Sequence, residues 1–419
     1  MDNLRSSVLI TRTSSNLQAI LAMVVSSAIF CVFPAPGLED GRIGVLYVGC
    51  VARSQPFWMM RSDPLFRMQF VQATIRDFMM YGPMPAKTDA DVHRMVRLYM
   101  PRTDRELTEN YDAIVLSEAN VDAVGPHIDK LARAVSEGGL GLVMAGGWQS
   151  FGAASSYHPW SETSIGRLLP TEDIAGTWDE SVFQRLVIDR PDHELMSSVP
   201  WQSGDPALAG GIWHHNRVTV KLGADQLAHV VSGSGHEDPL MVTWRIETGP
   251  RTFALTSESC RLPLWIYAYD YVSNLMIFLD ERPVPQDVNL VHAARSKMLE
   301  TKTRRSLLSS LLDFCESFGA NTRSMMSRLE KMDEIIASAT PRYLELRFDD
   351  MMETYRRVGE ILDDAEEEAI KLKNRTLLWV YLIEWLAVSG TAAVCGFLLW
   401  SLMLRRRFYR EVQTTRLAR

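Results

Sequence analysis

Gly138–Gly152, GGLGLVMAGGWQSFG, decides how this chain is read. Leu140–Ala145 is an uninterrupted apolar run, the pattern of a strand buried on both faces of a parallel sheet. It ends in a double glycine and a turn of Gly146, Gly147, Trp148, Gln149 and Ser150. In doubly wound α/β proteins, ligands and catalytic groups gather outside the carboxyl ends of the strands. Working outward, Arg42–Gly49 (RIGVLYVG) predicts a first buried strand, and Tyr111–Asn120 (YDAIVLSEAN) a second with a polar end. Val121–Glu137 carries a helical pattern that leads into the glycines.

This order continues through Tyr157-His158, Arg167–Pro170 (RLLP) and Asp238–Leu255 (DPLMVTWRIETGPRTFAL). It resembles the glutamine-amidotransferase-like family, relatives of the trehalose-utilisation-protein-like domains, over roughly residues 40–280. The GGW-x-SFG turn with its downstream tyrosine is the most specific part. The resemblance implies a flavodoxin-like, class I amidotransferase-like α/β domain. It does not imply glutaminase activity. That reaction needs a thiolate at the turn and a histidine with an acidic partner to activate it. The cysteines are Cys31, Cys50, Cys260, Cys315 and Cys395, and none lies there. The late His-x-Glu pattern is also missing, because His236-Glu237-Asp238 is contiguous.

The candidate ligand-binding residues are therefore Gly146, Gly147, Trp148, Gln149 and Ser150 of the turn, with Glu118, Tyr157 and His158. Glycines let a ligand approach the main chain, and N–H groups at a helix start suit an anion or a carbonyl oxygen. Equally, the two glycines can serve only to relieve close packing. Trp160, Trp178, Trp201 and Trp213 offer aromatic walls for a small molecule or glycan, although tryptophans more often pack. A hydrolase or amidase built on Ser117, Glu118, Ser150 and His158 is the alternative function. No catalytic residue, cofactor or metal is assigned. His214 and His215 are adjacent, so on a strand they point to opposite faces and cannot share one metal.

The chain has 419 residues, more than one hydrophobic core usually serves. A net charge of −7 gives no footprint of a nucleic-acid binder. Leu17–Phe33 is uncharged and follows Arg5 and Arg12, which suits a signal peptide or signal anchor. Near the other end, Trp385–Leu404 is a run of 20 residues without a charge, long enough to cross a bilayer. Trp379, Tyr381, Trp385 and Trp400 flank it as interfacial aromatics do. The tail Arg405–Arg419 holds six arginines and one acid, while Leu344–Glu368 holds ten acids and three arginines. The positive-inside bias therefore puts the tail in the cytoplasm and the body outside. Asn374-Arg375-Thr376 is a glycosylation sequon that abuts the span.

Between the α/β region and the span, glycine and proline nearly vanish. Leu344, Phe348, Met351, Tyr355, Val358, Leu362, Ala365, Ala369 and Leu372 alternate in steps of four and three, a coiled-coil seam. Met325, Leu329, Met332, Ile336 and Ala339 form a matching stripe, with Pro341 expected to separate the two, and Leu308, Leu311, Cys315 and Phe318 a third. The helices either fold on one another as a bundle or self-associate through the last one. The expected organisation is a signal segment over 1–37, an α/β domain over 38–290, a helical bundle or coiled-coil neck over 291–375, a transmembrane helix over 376–404 and a basic cytoplasmic tail over 405–419. The expected partner is the membrane.

Overall fold

The computed structural model describes residues 41–51, 56–76, 85–154, 157–179, 184–201, 212, 214–232, 235–247, 249–257 and 265–416. The N-terminal apolar segment, Cys31, Trp213 and Cys260 lie outside them. The chain divides into two compact units. The first runs to Met196 and resumes from Trp201 to Val284; the second takes Ser197–Pro200 and everything from Pro285.

The first unit is a mixed α/β sheet domain. Its strands are β1 (Ile43–Gly49), β2 (Phe66–Gln72), β3 (Ala113–Ser117), β4 (Gly141–Ala145), β5 (Thr171–Asp179), β6 (Arg185–Ile188), β7 (His215–Val220), β8 (Asp225–Val231), β9 (Glu237–Arg245) and β10 (Arg251–Leu255). The main sheet has the order β2-β1-β3-β4-β10-β9-β8-β6, and β5 pairs with β7 in a second sheet. From β2 to β10 the strands are parallel. From β10 through β9 and β8 to β6 they are antiparallel. All seven residues of β1 and all five of β3 and β4 are buried, as central parallel strands require. The chain leaves β1 to one side for β2 and returns to the other side for β3. That reversal makes the carboxyl ends of β1 and β3 a topological switch point, the place where open α/β sheets bind ligands.

Short polar caps start the flanking helices. Thr88 and Asp91 form a capping box on α1 (Asp89–Tyr99), and the Thr103 hydroxyl caps α2 (Asp104–Asn110). Val121–Glu137, expected as one helix, is broken. Asn120 caps a single turn, α3 (Val121–Val124); Gly125-Pro126 then forces a 3₁₀ turn, and α4 (Ile128–Ser136) follows. Pro126 has no N–H to give a continuing helix. Two more helices belong to this unit, α5 (Ser164–Leu168) and α6 (Ala268–Leu279), and every residue of α6 is buried.

The second unit is helical: α7 (Val288–Ser317), α8 (Arg323–Leu344) and α9 (Phe348–Arg416). Val358, Leu362, Ala365 and Ala369 of α9 pack with Leu308 and Leu312 of α7 and with Met325, Leu329 and Met332 of α8 in one apolar core. The seam is thus covered by the chain's own helices. Pro341 does not end α8; the helix passes through it to Leu344, and the break falls at Glu345–Arg347, where Leu346 has a left-handed φ of 58°. A proline in the last turn forfeits one hydrogen bond, a small loss beside the burial of Ala339 and Tyr343 around it. Beyond Thr376 the same helix α9 becomes exposed and apolar, and it is long and apolar enough to cross a membrane.

Candidate functional site

The carboxyl ends of the parallel strands carry a layer of buried polar side chains: Gln72, Thr74, Ser117, Glu118, Asn120, Gln149, Ser150, Thr256 and Ser257 are each at most 1% exposed. Close approach of the strand ends builds this layer. A Cβ on Gly146 would stand 2.0 Å from the Thr256 carbonyl oxygen after β10. A Cβ on Gly147, whose φ is +144°, would stand 1.3 Å from Glu118 Oε2 after β3. Both glycines are therefore required sterically, and what fills the space above Gly147 is a carboxylate.

Glu118 leaves β3 in the left-handed region, φ 54°, a conformation that costs a residue with a Cβ about 1 kcal/mol. The Thr74 hydroxyl donates to its carbonyl at 2.7 Å. Its Oε1 accepts from the Trp148 N–H at 3.0 Å. Asn216, on β7, holds the other side of the turn. Its Oδ1 accepts from the Gly147 N–H at 2.8 Å, and its Nδ2 donates to the carbonyls of Gly147 and Ser150 at 3.0 and 3.1 Å. The Gly146 N–H donates to Leu255 O at 2.7 Å. The donors expected to meet a ligand at Gly146, Gly147 and Trp148 are thus taken by the protein's own groups. Glu118 sits where an external anion would sit.

Gln149 faces inward. It exchanges two hydrogen bonds with the Ile75 main chain, Nε2 to O at 2.8 Å and N to Oε1 at 3.2 Å. Trp160 lies in the core, its indole N–H donating to Ala119 O and Gln149 O. Among the described residues the buried Ser150 hydroxyl has no hydrogen-bond partner, and so no base bonded to it. The structure brings Glu118 and Gly146–Ser150 together, and it separates His158 from that group by environment. The His158 side chain is 71% exposed and its Nδ1 bonds Asp122 at 2.7 Å. This contact raises its pKa, through the hydrogen bond first and the charge second. Tyr157 is half-buried against Ile75, Val92 and Ala123, with the Arg76 guanidinium 5.1 Å from its ring centre.

Trp201 and the histidines resolve into packing and ion pairs, and the Trp178 side chain lies outside the described residues. Trp201 stacks on Trp265 at 4.9 Å and meets Tyr271 edge-on at 5.1 Å. His215 and Asn216 alternate across β7, so His215 faces β9 and meets Asp238 at 3.1 Å. Arg217, two residues along, reaches the other oxygen of Asp238 at 3.2 Å, and His236 lies 3.5 Å from it. Among the described residues no cluster of histidine, cysteine and acidic side chains could hold a metal ion. A groove of about 390 Å³ between α4 and α5 is lined by Asp129, Arg133, Ser164 and Arg167 among others, and by none of the turn's residues. Asn216 is the residue that sequence reasoning missed. Its signal was present in strand alternation, which sets it opposite His215.

No family model and no curated protein matches this chain. Among solved structures it is similar to the cytoplasmic protein STM1381 from Salmonella typhimurium LT2, at 16% identity and a TM-score of 0.43, over 57% of this chain and 99% of that one.

Proposed function

We propose that this protein is a membrane-anchored binding or assembly module. Its α/β domain is of the flavodoxin-like, class I amidotransferase-like kind, stands outside the cytoplasm and lacks glutaminase chemistry. The observation that carries the anchoring is a change of burial along one unbroken helix. Val358, Leu362 and Ala369 of α9 are 0% exposed, whereas Trp385, Leu386 and Val388 are 77%, 65% and 71% exposed. An apolar stretch of this length is costly in water and stable in a bilayer. The strand order β2-β1-β3-β4-β10 is that of flavodoxin-type sheets, with the switch point between β1 and β3. The absence of glutaminase chemistry rests on the turn after β4. It has no thiol, its donors are bound by Glu118 and Asn216, and among the described residues no base bonds its serine.

Labelling of intact cells tests anchoring and orientation together. The five native cysteines are replaced by alanine, and single cysteines are introduced as Asp350→Cys or Thr414→Cys. A membrane-impermeant maleimide should label position 350 directly and position 414 only after permeabilisation. The reverse pattern places the body in the cytosol. Labelling of both positions in a soluble fraction removes the span.

A further inference from the structure

The register of the helical unit sets one end of it at the level where the apolar stretch begins. Arg295 of α7 lies over the Phe348 ring, and further along both helices Arg304 binds Asp363 at 2.5 Å and Glu366 at 2.7 Å. Later residues of α7 meet later residues of α9, so the two helices run parallel. The partners of Arg304 are 59 and 62 residues away in sequence. Lys297 beside Gly359 has the same offset of 62 residues, and parallel helices rise together at about 1.5 Å per residue, so from Lys297 onward the offset is kept. Phe318 therefore stands level with the turn Leu377–Val380, which contains the exposed Trp379. α8 runs back the other way. Arg328 meets Glu368 at 2.6 Å while Tyr343 meets Phe348, which sets Met326 level with Ile370.

The end so placed exposes three large apolar side chains among the charged Asp313, Glu316 and Arg323. Phe314, Phe318 and Met326 are 40%, 50% and 37% exposed, and the two phenylalanine rings touch edge to face at 5.0 Å. Exposed aromatics at the tip of a helical hairpin are unfavourable in water. They are favourable a few ångströms into the boundary between headgroups and acyl chains, where Trp379 and Tyr381 of the span also lie.

We infer that the α7–α8 tip, through Phe314, Phe318 and Met326, inserts into the bilayer interface beside the span, so that the helical unit rests on the lipid surface at two points. The inference relies on Leu377–Leu404 being the span. The partner is the lipid bilayer itself; a second copy of the chain is the competing occupant.

Site-specific photocrosslinking in liposomes distinguishes these outcomes. A benzophenone amino acid replaces Phe318, Leu386 within the span, or Leu307, which is 66% exposed on α7 and about 16 Å further from the membrane level than Phe318. The lipid is phosphatidylcholine with an alkyne at the acyl end. Lipid adduct at position 318 should reach within about threefold of position 386 and exceed position 307 about tenfold. Adduct at 386 but only background at 318 overturns the inference and leaves the span standing. Background at both 318 and 386 removes the span reading. Equal adduct at 307 and 318 shows contact without depth, and a doubled-mass protein adduct at 318 assigns the face to a second copy; either overturns the inference.

Discussion

Replacing Gly147 with alanine tests whether Glu118 fills the turn. The new Cβ meets Glu118 Oε2 at 1.3 Å and adopts a φ of +144°. Overpacking of this kind costs about 1–3 kcal/mol, and the unfavourable backbone adds about 1–2 kcal/mol. For a unit of this size, about 3 kcal/mol lowers the melting temperature by roughly 6–12 °C. The same substitution at Gly146 meets a main-chain carbonyl, Thr256 O, at 2.0 Å. That atom cannot be removed by mutation, whereas the carboxylate can. Glu118→Ala on its own leaves the Trp148 N–H without this acceptor, at a cost of about 1–3 kcal/mol. In the double variant Glu118→Ala with Gly147→Ala the steric cost of the new Cβ disappears, and the backbone cost and the lost Trp148 bond remain. The two changes should therefore be less than additive by about 1–3 kcal/mol, while Glu118→Ala should relieve none of the Gly146→Ala cost, because the clash there is with Thr256 O. Thermal melting of the purified full-length protein, followed through near-ultraviolet circular dichroism, reads both cycles. Additivity at Gly147 would refute the placement of the carboxylate over the turn.

In the helical unit, Val358 and Leu362 are both fully buried, and each loses about 1.5–3 kcal/mol of burial on truncation before any charge is counted. Val358→Asp with Leu362→Asp should melt the helical signal of the full chain at least 10 °C earlier and leave the α/β transition in place; an unchanged melt refutes the seam. Burial pushes the Asp173 carboxyl up to about 7, against the nearby Ser161 main chain and the Lys221 charge, which lower it. Because the folded pKa lies above the unfolded one, this stabilising contribution is complete below pH 4 and is lost as pH rises through 7, by at most about 4 kcal/mol. Urea melts should show Asp173→Asn narrowing the stability gap between pH 5 and pH 8, and an unaltered gap would place that carboxylate in water. Asn216→Leu leaves the Gly147 N–H without a partner and takes from the Gly147 and Ser150 carbonyls one of the two donors each has, so it should cost about 1–3 kcal/mol by the same melts, and a loss below about 0.5 kcal/mol would show that the turn holds without it.

Much of the secondary structure was legible because it depends on local pattern. The apolar run ending at Ala145 and the strand through Val45–Val48 need only burial on both faces, which the letters show. The stripe from Phe348 to Ala369 needs only a period of three and four, and each of its positions is buried. What covers the stripe was not legible, since a second copy would satisfy the same spacing. Gly125-Pro126 carried its own signal for a break, and Pro341 carried one that burial around the last turn overrode. The turn itself shows where local reading stops. Its glycines were visible, but their necessity follows from the approach of β3 and β10, and the partner over Gly147 follows from a left-handed φ at Glu118 that no spacing announces. The Asn216 contact joins residues 66 and 69 positions apart, a pairing set by the second sheet. The same non-locality made the polar layer at the switch point invisible, since Gln72, Glu118, Gln149 and Thr256 come from four different strand ends.

The reading of the turn as closed and without hydrolytic chemistry meets its most direct test in the purified full-length protein supplied with glutamine. Release of ammonia should stay at the buffer background and should be the same before and after cysteine alkylation and in Ser150→Ala. Release above background that alkylation or Ser150→Ala abolishes would contradict the account.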